Sequence, residues 1–385
     1  MRFSVDAHAI GQHLTGNETY IRNLLNCFAG LDDESEFVIY LSRESALPLV
    51  PARFTRRLVS DNPFHRLGLD LTKKLRADRP ELIHVQYTAP LRCPVPVVVS
   101  VHDVSFLEYP EYFTRFRAMQ LRYTVRRTVQ NAARVFTPSE FSKRSIVKAY
   151  GLDDRKVHVM HNAVSSSFRP TSRLTAKKWV QTTLGYSFPF VLTVADLQPR
   201  KNHLKLIESF EQLLRTHPQI PHHLVLVGKE TWYSRTIRSA AAKSPAAERI
   251  HFTGFVEDEQ LLKLYGACDL FVYPSLYEGF GLPILEAMAC GRAVACSNTS
   301  AMPEVADSCG LLFDPRSTAE MVGAMRDLLL DSELRARMER LGTHRATLFS
   351  WEKTARETLN VYYEVAGRTP KSKPRTVKPF SLART

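Results

Sequence analysis

Residues 275–291 read SLYEGFGLPILEAMACG. Just ahead of them, 269–274 (DLFVYP) is a short apolar run that ends in proline, the pattern of a buried parallel strand. Gly279 and Gly281 follow Glu278, and Pro283 stands where a helix would begin, a place proline favours. Residues 284–290 continue as that helix, and Gly291 closes it. The order strand, glycine loop, helix predicts an α/β protein with a doubly wound sheet. In such sheets ligands bind at the loops beyond the carboxyl ends of the strands. The glycines let a ligand approach bare backbone, and a helix start offers free N–H groups and a positive dipole end to an anion.

Glu278 and Glu286 are the two carboxylates of this stretch. On one continuous helix they would stand about 12 Å apart along the axis, whereas a glycosidase pair needs roughly 5–9.5 Å. The spacing favours two acids that serve two parts of one elongated ligand over two acids that flank one bond.

Working outward, the chain has 385 residues, 44% hydrophobic and 24% charged, enough for two domains with a core each. No run of 18 or more apolar residues exists, so no membrane-spanning helix is expected, and residues 1–10 read as a strand start rather than a secretory signal. The six cysteines show no C-x-x-C pair, which reads as free thiols in a reducing cytoplasm. The net charge of +13 points to nucleic acid, an anionic membrane surface or phosphorylated substrates. No nucleic-acid motif is present, which leaves nucleic acid the weakest of the three.

In the first half, 2–7 reads as a strand, Gly11 and Gly16 bracket a loop, and 19–29 reads as a helix with Ile21, Leu24, Leu25 and Phe28 at apolar spacing. Residues 82–85 and 95–101 are further strands. The second ends in His102-Asp103, placed for a crevice site, although a histidine there can also simply cap the strand. A long helix is expected over 111–134. It carries Arg115, Arg117, Arg122, Arg126, Arg127 and Arg134, and Phe113, Phe116, Leu121, Val125 and Val129 can form its apolar stripe. Such a helix fits either a solvated charged face over a core stripe or contact with anionic lipid. Ser139 is a good N-cap for a helix over 140–150 that Gly151 ends. A strand at 157–160 closes the half, and 164–187 reads as a linker.

In the second half, a strand at 190–195 leads into the loop 196–202 (DLQPRKN). Arg200 and Lys201 lie there between strand and helix, where fixed cations suit a diphosphate. Residues 224–227 and 250–252 are strands. Glu257, Asp258 and Glu259 precede a helix over 258–267, where acids are expected for dipole reasons. No D-x-D motif is seen, and neither metal nor cofactor is expected. The last helix is 351–365, with Trp351, Ala355, Leu359 and Tyr362 at core spacing. Residues 367–385 hold six basic residues and no acid and read as a mobile tail.

The E-x7-E of YEGFGLPILEAMACG, with His102-Asp103 and Arg200-Lys201, closely resembles the signature of the retaining glycosyltransferases of family 4, which have the GT-B fold. The resemblance reaches to about Val365. It implies two Rossmann-like domains facing across a deep cleft, 1–168 for the acceptor and 186–350 for the donor, with 351–366 returning to the first. It implies transfer of a sugar from a nucleotide-diphosphate donor to an acceptor hydroxyl with retention. Arg200 and Lys201 would clamp the diphosphate with the N–H groups of Gly279, Phe280, Gly281 and Leu282, and Gly16 would face it from the first domain. Glu278 would hold sugar hydroxyls, Glu286 the ribose, and His102 with Asp103 the transferred sugar. Asp196 stands near the place of the family's usual arginine. The PRKN loop and the HD context are similar to GDP-mannose users, and the family's frequent acceptor is a lipid-linked saccharide in envelope polysaccharide synthesis. A cytoplasmic place is implied, with a peripheral position on the inner face of the cell membrane left open. The rival readings are a GT-B epimerase or phosphorylase and a non-catalytic sugar-nucleotide binder. A nicotinamide-dependent dehydrogenase is disfavoured, because no G-x-G-x-x-G follows a strand.

Overall fold

The computed structural model describes residues 1–12 and 15–368, so the basic tail lies almost wholly outside the described residues. The first lobe is a seven-stranded parallel sheet in the order β3-β2-β1-β4-β5-β6-β7. Its strands are β1 (Arg2–Asp6), β2 (Glu36–Leu41), β3 (Thr55–Leu58), β4 (Leu82–Gln86), β5 (Val97–Ser100), β6 (Arg134–Thr137) and β7 (Val157–Val159). The second is a six-stranded parallel sheet in the order β10-β9-β8-β11-β12-β13. It comprises β8 (Phe190–Val194), β9 (His223–Val227), β10 (Ile250–Gly254), β11 (Leu270–Tyr273), β12 (Val294–Ser297) and β13 (Leu311–Phe313). The central strands are continuous apolar runs such as VVVS and LFVY, buried along their length, as expected where helices cover both faces.

Each strand order reverses once, between β1 and β4 in the first lobe and between β8 and β11 in the second. These are the switch points at which an open α/β sheet leaves a crevice. The loop with Arg200 and Lys201 follows β8 and the loop with Glu278 follows β11. Both therefore open at the second lobe's crevice.

The last helix, Trp351–Val365, belongs to the first lobe. Trp351, Ala355, Leu359 and Tyr362 are buried in one core with Phe3, Phe28 and Phe37. The Tyr362 hydroxyl lies 2.5 Å from His84 Nδ1, His84 Nε2 lies 2.7 Å from Ser100 Oγ, and Ser100 Oγ lies 2.9 Å from the Tyr20 hydroxyl. Burial pushes His84 down to about 3, so it is neutral and can accept from the tyrosine.

Three expectations change. The stretch read as a linker carries a helix, Arg173–Leu184, whose Ala176 and Val180 enter the second lobe's core. Ser172 caps it and Gly185, at φ 74, ends it. The long basic helix is shorter than expected, Arg115–Asn131, because Pro110–Tyr112 forms a separate turn and Thr114 caps the start. Its buried residues are Val125, Thr128 and Val129, while Phe116 is exposed together with Met119 and Tyr123. Finally, Gly16 is not a loop residue. It lies in the first turn of the helix Thr15–Leu31, and the left-handed glycine nearby is Gly11, at φ 77.

Candidate active site

The two lobes enclose a cleft of about 1180 Å³. On its second-lobe side Glu278 is the centre of a charged cluster. Arg200 Nη1 lies 3.0 Å from Oε2, and Lys201 Nζ lies 2.5 Å from Oε1. Ser275 Oγ and the Tyr273 hydroxyl also donate to Oε1, at 2.5 and 3.0 Å, while Ser300 Oγ accepts from the Glu278 backbone N–H. Burial alone would raise the carboxyl's pKa, but Arg200 and Lys201 outweigh it and bring it down to about 2. Burial also works against the charge of Arg200, yet Glu278 and Asp103 hold its pKa above the ordinary value. Lys201 moves the other way, lowered by burial and by Arg200 despite its contact with Glu278. The cluster is thus a fixed, ionised set whose cations already share one carboxylate.

Glu286 is set apart from it. It sits on the helix Leu282–Ala289, accepts a hydrogen bond from the Tyr265 hydroxyl at 2.9 Å and lines the cleft. Protein atoms crowd its carboxyl, and that burial pushes its pKa up to about 7. Val194, Val227, Phe255, Val256 and Leu261 also line the cleft and form its apolar part on this lobe.

The glycine loop touches the first lobe. A Cβ on Gly279 would stand 2.0 Å from the His102 carbonyl oxygen, so only glycine lets the lobes meet there. Ser139 and Ser142 at the start of the helix Glu140–Tyr150 donate to the Gly279 carbonyl, at 2.6 and 3.0 Å. The planar peptide then turns the Phe280 N–H away from those serines. The N–H groups of Phe280 and Gly281 make no hydrogen bond among the described residues. Gly281, at φ 107, opens the helix Leu282–Ala289. Glu304 secures the same contact, accepting from the Glu140 and Phe141 N–H groups at 2.9 and 3.1 Å. It is therefore a link between lobes and not a cleft residue.

On the first-lobe side, His102 follows β5. Burial lowers its pKa to about 4, so the ring is neutral near pH 7. Its Nε2 lies 3.1 Å from Gln86 Oε1, and the Tyr20 ring packs edge-on against it. As the amide is placed, Gln86 accepts from Nε2–H and leaves Nδ1 as the imidazole's acceptor. Asp103 also lines the cleft. Its Oδ1 accepts from the Ser105 N–H and Oγ, at 2.9 and 2.7 Å, which fixes the turn after His102.

With this geometry in hand, the comparisons are specific. Residues 14–168 match the family model Glycosyltransferase Family 4, and residues 181–345 match Glycosyl transferases group 1. The O-antigen chain mannosyltransferase B of Escherichia coli is 32% identical over 269 residues, which are 69% of this chain and 69% of that one.

The chain belongs to glycosyltransferase family 4.

This glycosyltransferase is also 31% identical over 230 residues to the serotype-specific mannosyltransferase WbdA of Escherichia coli, a match that takes in 59% of the chain but only 28% of WbdA. The sucrose-phosphate synthase of Thermosynechococcus elongatus superposes with a TM-score of 0.77 over 95% of this chain and 99% of its own, at 18% identity. The fold is GT-B, two Rossmann-like lobes across a cleft.

Among the residues that the glycosyltransferase signature singled out, Glu278, Arg200 and Lys201 form one cluster. Glu286, His102, Asp103, Gly16 and the loop Gly279–Leu282 line the same cleft. The sequence reading passed over Tyr273 and Ser275, although both lie beside the signature and hold Glu278. It also passed over Gln86, whose place at the end of β4 one register from His84 was the available signal.

Proposed function

We propose that this glycosyltransferase moves a mannosyl group from GDP-mannose to a hydroxyl of a lipid-linked saccharide, with retention at the anomeric carbon and without a metal ion. The observation that carries this reading is the meeting of Arg200, Lys201 and Glu278 at one switch point, with His102 across the cleft. The mannosyltransferase names of its relatives support the sugar, and their O-antigen and serotype names support an envelope polysaccharide.

The donor diphosphate competes with Glu278 for Arg200 and Lys201. As the glycosidic bond breaks, negative charge grows on the departing diphosphate, and the two cations with the free N–H groups of Phe280 and Gly281 meet it. Glu278, no longer their sole anionic contact, faces the sugar ring, where positive charge develops. Glu286 accepts from the ribose hydroxyls, and the apolar part of the cleft near Phe255 takes the base. His102, neutral and oriented by Gln86, holds the sugar from the other lobe. The acceptor oxygen attacks on the face the diphosphate leaves, and a phosphate oxygen receives its proton. That route needs no protein nucleophile.

The test is a screen of the purified protein against GDP-, UDP- and ADP-sugars, with and without acceptor. Transfer from GDP-mannose that survives a chelator, with an α-linked product, is the expected result. Product formed without any acceptor would favour an epimerase.

No helix among the described residues is long and apolar enough to cross a membrane. Exposed Phe116, Met119 and Tyr123 run along a helix that also carries Arg115, Arg122 and Arg126, which supports a peripheral place on anionic lipid. Co-sedimentation with anionic vesicles should weaken in a Phe116→Ser/Tyr123→Ser double variant. Equal sedimentation of both proteins would remove the membrane from this reading.

A further inference from the structure

The first lobe's switch point lies between β1 and β4, and its crevice holds a group that the reaction above does not use. Arg66 lines the cleft and is only 5% exposed. Its Nε is buried without a hydrogen-bond partner, and its whole guanidinium makes no hydrogen bond among the described residues. Asp6, at the end of β1, is its counter-charge but stands 3.8 Å from Nε, beyond hydrogen-bond reach. The Asp6 carboxylate instead accepts from the His8 N–H and contacts the His8 ring, at 3.2 and 3.1 Å. An Nε–H buried without an acceptor is costly unless one arrives.

Its support is built for the purpose. Asn62 caps the turn Pro63–His65 by accepting from the Phe64 and His65 N–H groups. The chain then widens into a π-helical turn over Arg66–Asp70, a rare geometry that recurs at functional sites. The rim beside it is apolar. Phe64 and Leu91 are exposed and line the cleft, and the Leu91 N–H donates to the Leu67 carbonyl. Arg127 holds the 89–91 loop in place through its carbonyls.

Guanidinium donors in a cleft wall match a phosphate oxyanion, bidentate and planar. The donor diphosphate already has Arg200 and Lys201 on the opposite wall. We propose that Arg66 is the centre of an acceptor-side subsite for a phosphate group, with Phe64 and Leu91 contacting the apolar substituent that the phosphate carries. This rests on the transferase reading and adds to it that the acceptor is a phosphate ester or diphosphate, recognised at its phosphate as well as at its attacking hydroxyl.

The full chain, saturated with whichever nucleoside diphosphate it binds so that Arg200 and Lys201 are occupied, is titrated with octyl phosphate, mannose 6-phosphate and octanol. Octyl phosphate or mannose 6-phosphate should bind and octanol should not. A preference for octyl phosphate identifies a lipid phosphate, and a preference for the sugar phosphate identifies a phosphorylated saccharide. Arg66→Lys, which keeps the charge against Asp6 and so the fold, should weaken that binding about tenfold by replacing a planar fork with a point charge. Arg66→Gln should weaken it further, and nucleoside diphosphate affinity should stay within about twofold in both. Binding of the two phosphates no tighter than that of octanol, or unchanged in Arg66→Lys, overturns the subsite. Transfer assays separate this from the function itself. Arg66-dependent phosphate binding with no sugar transferred would sink the transferase reading alone. Transfer to neutral and phosphorylated acceptors with equal kcat/KM would sink the subsite alone.

Discussion

The two walls of the cleft are built on the same topology and finished in opposite ways. On the second lobe, the charged side chains at the switch point satisfy one another, with Glu278 shared among Arg200, Lys201, Ser275 and Tyr273. On the first lobe, Arg66 Nε, Gln86 Nε2, Arg127 Nε and Asn162 Oδ1 are buried cleft-lining atoms without partners, and no second-lobe residue of the cleft contributes such an atom among the described residues. One wall is a preassembled electrostatic device that a ligand must enter by exchange. The other leaves buried polar atoms without a partner among the described residues. In the proposed reaction the first arrangement would take the donor's diphosphate and the second the acceptor.

The sharpest way to break this contrast is to remove the hub. Glu278→Gln leaves the part-buried Arg200 and Lys201 beside a neutral amide, and losing one partner of a fully buried ion pair costs up to about 3–5 kcal/mol. Turnover should fall about a thousandfold, and the Tm should fall with it. Turnover near wild type in steady-state assays would show that the cluster is only structural. Gly279→Ala acts where the walls meet. Its methyl group would press on the His102 carbonyl and displace the lobes, so turnover should drop about a hundredfold, with nucleotide affinity little changed because the second-lobe wall is intact. Small-angle scattering should record a wider particle.

Gln86→Leu tests the first wall. It frees the His102 ring and should lower kcat roughly tenfold, the weight of a hydrogen bond of about 1.4 kcal/mol, and should leave nucleotide affinity unaltered. A loss of nucleotide affinity equal to the loss of kcat would place Gln86 on the donor side. The smallest effect belongs to Glu286, whose pKa stands at about 7. In the proposed reaction its ionised form would accept from the ribose hydroxyls, so nucleotide affinity should rise severalfold from pH 6 to pH 8, and titration calorimetry of Glu286→Gln should give a flat profile. The linkage runs the other way for stability. The raised pKa means that the folded chain binds more protons than the unfolded one between about pH 4.5 and 7. Stability contributed by Glu286 is therefore present below that window and lost as pH rises through it.

Much of the second wall was legible in the sequence, because its parts are local. The strand, the two glycines, Pro283 and both glutamates lie within one stretch, and Arg200-Lys201 occupy a short loop between readable elements. The Ser139–Gly151 helix was legible for the same reason, since cap and stop are written at its ends. Of the first wall, His102-Asp103 at a strand end was legible and the rest was not. Arg66 lies in a π-helical turn that leaves no periodicity, in a region where the sequence reading assigned nothing. Gln86 matters because of a ring that arrives from another strand. The helix Arg173–Leu184 was hidden by serines, threonines and prolines around it, which describe its ends and not its buried Ala176 and Val180. Spacing left open whether the stripe with Phe116 faced the core or the outside, and the helix turns its Val125 and Val129 face inward and leaves Phe116 outside.

The Trp351–Val365 helix closes the first lobe from the far end of the chain. Its Tyr362 reaches His84 in the strand beside β1, and Tyr363 bonds to Asp32 and Ser35. The seam between the lobes is therefore not a place to divide the protein. A fragment ended near residue 168 would expose Phe3, Phe28 and Phe37 and strand a buried imidazole, whereas a fragment joined to 351–365 by a short bridge would carry its own keystone.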